Sequence, residues 1–183
     1  ERFDEAAESC RAAIEAHPVY PQAHNILGAA LKAVKDLTGA EAAFRKAYEL
    51  DPTMTAAQVN LGTVFGMRRQ WDDALACYGR ALEMSPGFAE AMNNRGNVLH
   101  SIGRFDEAQN DFEQAISIDP EYADPHLNLG LQLLMQGRWS EAWPEFEWRW
   151  RTPQMEPFRR PFIEPQWDGS PQSGATLLVH AEQ

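Results

Sequence analysis

The chain has 183 residues, of which 44% are hydrophobic and 23% charged, enough for one ordinary domain or for a repeat array with an appendage. No apolar run approaches the roughly 20 residues that a membrane-spanning helix needs, and a net charge of -11 repels a phosphate backbone, so neither a membrane nor nucleic acid is expected as a partner. Cys10 and Cys77 have no closely spaced cysteine or histidine around them, which argues against a disulfide framework or a zinc site and points to a reducing, cytoplasmic setting.

The opening segment, ERFDEAAESC, copies GRFDEA at 103–108 and so reads as the second half of a unit whose first helix precedes the chain. Prolines then close similar segments at Pro18, Pro52, Pro86 and Pro120, at intervals of 34 residues. Leu27-Gly28, Leu61-Gly62 and Leu129-Gly130 fall into phase with them, and Arg95-Gly96 is the one imperfect copy. Ala6, Ala40, Ala74, Ala108 and Ala142 recur in the same phase, each followed four residues later by Cys10, Phe44, Tyr78, Phe112 or Phe146.

Within FDEAQNDFEQAISI, the apolar residues Phe105, Ala108, Phe112, Ala115 and Ile116 lie three or four apart and form one stripe on a helix. Asp4, Asp72 and Asp106 are expected N-caps, and each proline is expected to stop the helix before it. A glycine inside a helix costs about 1 kcal/mol relative to alanine. Gly28, Gly62, Gly96 and Gly130 therefore predict a close neighbour, a large side chain such as Phe44 or Tyr78 packed on the bare backbone.

This pattern resembles the tetratricopeptide repeat (TPR) family, a helical hairpin repeated every 34 residues. The resemblance implies an all-α fold, a right-handed superhelix with four full repeats at 21–54, 55–88, 89–122 and 123–156 behind a half repeat at 1–20. The array is expected to span 1–152. One hairpin buries too little alone, and stacking gives a concave surface built from first helices.

Family geometry implies that the second, fifth, sixth, ninth, twelfth and thirteenth positions of each repeat face the concave side. The sixth reads Ile26, Asn60, Asn94 and Asn128, an asparagine ladder similar to that of O-linked N-acetylglucosamine transferases. An amide both donates and accepts, so it suits the backbone of an extended peptide. Bonding between neighbouring helices is the alternative role. Asn25, Asn93, Asn97, Thr63 and His100 add polar candidates, and Leu131 an apolar one. Glu90 and Asp124 disfavour an acidic ligand, with Lys32 the one clear positive group. The second position holds Gln22, Ala56, Glu90 and Asp124, and the fifth Asn25, Val59, Asn93 and Leu127, so the lysine and arginine clamp for an acidic chaperone tail is missing.

Beyond about residue 150 the pattern dissolves. Trp139, Trp143, Trp148 and Trp150 are expected to cap the array, and Pro144 to sit in the first turn of a helix capped by Ser140. Pro153, Pro157, Pro161, Pro165 and Pro171 forbid a regular helix, giving a proline-rich linker at 153–174, and ATLLVHAEQ predicts a short strand at 175–183. This tail resembles the junction of bacterial proteins in which TPRs precede a glycosyltransferase of two Rossmann lobes. The fragment itself matches none of that family's catalytic residues, and no catalytic, cofactor or metal site is expected in it. The expected function is a module binding a protein or peptide partner in its groove; the alternative is the substrate-recruiting region of such a glycosyltransferase. Pairing of the lone strand, helped by the apolar face of helix 1–17, predicts a homodimer.

Overall fold

A computed structural model describes residues 2–152. In it, α1 (Arg2–Ala16) precedes four helical pairs: α2 (Pro21–Ala33) with α3 (Leu37–Leu50), α4 (Thr55–Met67) with α5 (Trp71–Met84), α6 (Ala89–Ser101) with α7 (Phe105–Ile118), and α8 (Ala123–Met135) with α9 (Trp139–Phe146). A 3-10 segment, Glu147–Arg151, follows. Among the described residues there is no strand. The expected linker and strand at 153–183, and with them the strand-paired homodimer, fall outside the described residues.

The prolines stop the helices as the sequence requires. Asp51, Ser85 and Asp119, each just before a proline, take φ of -138°, -141° and -130°, extended backbone that cannot continue a helix. The first helix of each pair ends differently. Lys35, Arg69, Gly103 and Gly137 have φ of 67°, 58°, 80° and 74°, and the next amide reaches back to a carbonyl in the last turn: Asp36 to Leu31, Gln70 to Phe65, Arg104 to Leu99 and Arg138 to Leu133. This is the Schellman ending, which satisfies carbonyls the helix leaves open.

That tight turn corrects the expected caps. α5 and α7 begin at Trp71 and Phe105, so Asp72 and Asp106 occupy the second helical position, where their carboxylates meet the positive end of the helix dipole. Asp4 likewise lies inside the first turn of α1. The side-chain cap falls on Asp36, whose Oδ1 accepts from the Gly39 amide at 2.9 Å.

The helical glycines do what their cost implied. A Cβ on Gly28 would lie 2.6 Å from the Phe44 ring, on Gly62 2.7 Å from Tyr78 and on Gly96 2.6 Å from Phe112. Gly130 differs, because the main-chain nitrogen of Phe146 itself would stand 2.6 Å from its Cβ. The rings form the interior: Leu31, Phe44, Val64, Phe65 and Tyr78 belong to one buried cluster, Leu99, Phe112, Leu129 and Leu133 to a second, and Leu75 packs against both.

The imperfect copy also has a structural partner. Arg95, where the other pairs have leucine, sends Nε and a terminal nitrogen to both carboxylate oxygens of Asp111 at 2.7 and 2.6 Å. The Asp111 side chain is 2% exposed, so this two-pronged ion pair replaces an apolar contact inside the hairpin.

At the last pair the expectation fails. α9 starts at Trp139 with Arg138 as its flanking residue, which puts Pro144 beyond the first turn. Its missing N–H leaves the Ser140 carbonyl without a helical donor, and the helix gives way to the 3-10 segment after Phe146. Of the tryptophans expected to cap the array, Trp148 stacks on His126 at 4.0 Å between ring centres, while Trp139 and Trp143 are 57% and 50% exposed.

Two substitutions separate these effects. Gly62→Ala is expected to lower stability by about 1–3 kcal/mol because Tyr78 has to move, whereas Arg69→Gly is expected to raise it by about 1 kcal/mol by relieving a left-handed backbone; urea unfolding measures both. In the same assay Arg95→Leu is expected to lose about 3 kcal/mol by stranding a buried carboxylate, and adding Asp111→Ala to recover most of it. A double variant as unstable as the single one refutes the compensating-pair reading.

Candidate peptide-binding surface

The first helices touch in succession, α2 with α4, α4 with α6 and α6 with α8, while none of α3, α5, α7 and α9 touches another of its kind. The stack is tighter along the first helices, so they line its inner, concave side. The candidate residues on α2, α4, α6 and α8 lie on that side of the fold.

Their amides pair across repeats. Asn60 Nδ2 donates to Asn25 Oδ1 at 3.2 Å, and Asn128 Nδ2 donates to Asn93 Oδ1 at 2.9 Å. Each pair joins residues 35 apart, one more than the repeat length, because the sixth position of one repeat meets the fifth of the repeat before. The chains extend at both ends: Lys32 Nζ donates to Asn60 Oδ1 at 3.1 Å, and Asn93 Nδ2 to the Tyr122 hydroxyl at 3.4 Å. Asn93 is 3% exposed and belongs to the wall of the surface.

Between the two chains the register is broken. The residue 35 before Asn94 is Val59, an apolar side chain 1% exposed, so Asn94 has no amide to pair with. Half-buried Asn94 and exposed Asn97, one turn on, have no side-chain hydrogen-bond partner among the described residues. Thr63 Oγ1 donates to the Val59 carbonyl at 3.0 Å and accepts from the Tyr78 hydroxyl at 3.3 Å. His100 is half-buried, edge-on to Phe105 at 5.2 Å, and Leu131 is 44% exposed. The nine sequence-predicted residues thus divide into paired amides (Asn25, Asn60, Asn93, Asn128), a tied hydroxyl (Thr63), two amides with no side-chain partner among the described residues (Asn94, Asn97), an exposed apolar side chain (Leu131) and the half-buried His100.

The field of this surface is negative. Burial lowers the Lys32 ammonium from its usual value and Glu90 partly restores it. Burial pushes the Tyr78 hydroxyl up to about 12, with Glu90 adding to the rise. Tyr122 is also pushed up to about 12, by burial first and then by Asp124 and Glu90. One exposed carboxylate, Glu90, therefore acts on groups from three hairpins. Sequence reasoning named Tyr78 only as an interior ring and did not name Tyr122; Tyr122 stands two residues after Pro120, as Tyr20 does after Pro18, and that recurrence was the available signal. Among the described residues no group of histidine, cysteine, aspartate and glutamate is placed to hold a metal ion, and no helix is long and apolar enough to cross a membrane.

The tyrosines give a pH signature. In an unfolded chain they ionise near pH 10, and in the fold both hold their protons to about 12. The folded pKa is the higher one, so the stability they contribute is complete below about pH 10 and lost as pH rises toward 12. Absorbance titration of tyrosinate alongside circular dichroism checks this: the Tyr78→Phe/Tyr122→Phe variant is expected to lose less stability across that window than the parent, and an equal loss excludes these hydroxyls as the cause.

Comparison with known proteins agrees with this geometry. A family model described as Tetratricopeptide repeat matches residues 1–55 and 59–108, and one described as TPR repeat matches 96–137. No curated protein is matched. A crystal structure of MamA is similar to the chain with TM-score 0.68 and 24% identity, over 86% of this chain and 92% of that one. A second MamA crystal structure is similar with TM-score 0.67 and 24% identity, over 90% of each chain. MamA 41-end from Desulfovibrio magneticus RS-1 is similar with TM-score 0.65 and 20% identity, over 86% of this chain and 87% of that one. At these identities the likeness speaks for the fold, a stack of helical hairpins. With more than half of its length matched by the family model, the chain belongs to the tetratricopeptide repeat family.

Proposed function

We propose that this chain is a protein-interaction module that holds an extended segment of a partner along the inner surface of α2, α4, α6 and α8. The observation that carries the reading is the break in the asparagine register, which leaves the Asn94 and Asn97 amides unpaired in the middle of an otherwise satisfied polar wall. An amide offers two donors and an acceptor, and a side chain with no internal partner spends none of them on the fold. The two donors and the acceptor suit the alternating N–H and C=O groups of an extended backbone. Glu90 and Asp124 select against an acidic segment.

Peptides selected by this chain from a displayed library of random, unstructured sequences provide the test. Asn94→Ala/Asn97→Ala is expected to weaken the selected peptides by about tenfold or more, at 1.4 kcal/mol per factor of ten, with unchanged helicity. Asn60→Ala and Asn128→Ala are expected instead to lower stability by about 1 kcal/mol each, the net worth of a hydrogen bond. Calorimetric affinities that survive Asn94→Ala/Asn97→Ala exclude the inner surface as the binding site.

A second reading follows from the tail, whose FEWRWRTP, PQWDGSP and TLLVHAEQ resemble the junction before a glycosyltransferase domain. On that reading the array recruits acceptor proteins to a sugar-transferring domain in the same polypeptide. A glycine-rich turn encoded just after Gln183 supports it, and a stop codon there removes it.

A further inference from the structure

We propose that the segment held on the inner surface alternates aliphatic and basic side chains, the aliphatic ones meeting an edge formed by Met67, Leu131 and Met135 and the basic ones an opposite edge formed by Glu90 and Asp124. This rests on the reading above, that an extended segment lies across α4, α6 and α8. Helical register identifies the two edges. On α6, Asn94 has Glu90 one turn before it and Asn97 and Ser101 after it; on α8, Asn128 stands in the same way between Asp124 and Leu131 with Met135. Residues spaced like these share one face of a helix. The bond from Asn128 to Asn93 sets that face of α8 beside α6, and the bond from Asn60 to Asn25 does the same for the stripe of Asn60, Thr63 and Met67 on α4.

The edge toward the ends of these helices is apolar and open to solvent: Met67 is 41% exposed, Leu131 44% and Met135 70%. The repeat does not require this, since the equivalent positions of the other first helices hold Ala29, Ala33, Thr63, Asn97 and Ser101. At the opposite edge Glu90 and Asp124 form no salt bridge among the described residues, and Lys32, whose charge Glu90 favours, is tied to Asn60 instead. An extended chain then has one way to use both edges. Its N–H and C=O groups stand at right angles to its side chains. With the backbone bonded to Asn94 and Asn97, the side chains run along the helix axes, alternately toward the methionines and toward the carboxylates. Packed helices lie about 10 Å apart and an extended chain advances about 3.3 Å per residue, so the residues meeting Met67 and Met135, two helices apart, stand about six apart. That number is even, which puts both on the same side of the segment. Methionine is unbranched and polarizable, and adapts to aliphatic partners of varied shape.

Two synthetic peptides of identical composition, titrated into the chain by calorimetry, test the alternation. The first carries leucine at its second and eighth positions and lysine at its fifth and seventh, with serine elsewhere over nine residues. The second exchanges the seventh and eighth residues, which turns one leucine and one lysine to the wrong edge. The first is expected to bind about tenfold or more tighter, the worth of one aliphatic side chain buried. Met67→Ser/Met135→Ser is expected to erase that preference with helicity unchanged, and Glu90→Gln/Asp124→Asn to reduce it together with its salt dependence. Equal affinity of the two peptides overturns the alternation, and if Asn94→Ala/Asn97→Ala then weakens both, the extended-segment reading stands without it. A preference that survives both edge variants also overturns it. So does failure of either peptide to bind, in which case the library-selected peptides still decide the extended-segment reading by themselves.

Discussion

Everything in this fold depends on an aromatic ring lying against bare glycine backbone within a hairpin. With the Cβ removed at Gly28, Gly62 and Gly96, the rings of Phe44, Tyr78 and Phe112 come closer to the first helix than any side chain there would permit. The approach brings the two helices together, buries the rings almost completely, and offsets the roughly 1 kcal/mol that each helical glycine costs. A hairpin closed this way still has apolar faces on both sides of its plane. Only stacking covers them, which is why the buried clusters run across hairpins and Leu75 belongs to two of them.

Stacking with the first helices in contact and the second helices apart makes a curved surface, and curvature makes the asparagine pairs possible. Side chains 35 residues apart meet where successive first helices touch, and there the amides bond to each other. The pairs tie neighbouring first helices together. The Val59–Asn94 step has no such bond, so the two amide pairs are separated by a rung whose asparagine has no side-chain partner among the described residues. Burial pushes the Tyr78 and Tyr122 hydroxyls up, and the charge of Glu90 adds to both rises.

Much of this was legible in the sequence because one period governs it. Proline phase gave the helix ends, and the glycine and aromatic phases together gave the internal contact of the hairpin. The caps of α5 and α7 were misplaced by two residues because the turn between helices is set by a left-handed residue that is lysine or arginine in two hairpins; glycine alone would have announced it. Arg95 looked like a defect until Asp111, sixteen residues on, supplied its counter-charge, a correlation no single-repeat pattern contains. The groove list could not divide its asparagines. That division depends on a 35-residue offset between neighbours, which appears only when two helices are laid side by side.

The C-terminal hairpin shows what happens when the same constraint is met by a different route. Gly130 accepts main chain where the other glycines accept a ring, so Phe146 turns its side chain toward Trp143, at 5.9 Å and 72° between the rings, and toward the Arg149 guanidinium at 4.5 Å. Pro144 shortens α9 to 8 residues, against 14 in α7. The chain then folds inward as a 3-10 turn and sets Trp148 flat on His126, whose Nδ1 faces the Glu145 carboxylate and whose Nε2 lies 3.1 Å from the Pro120 carbonyl. One histidine thereby joins the start of α8, the end of α9 and the turn beyond. The earlier second helices run on to the residue before a proline; here the N–H missing at Pro144 ends the helix within its own length, and the contacts of His126 hold the turn that replaces its last residues.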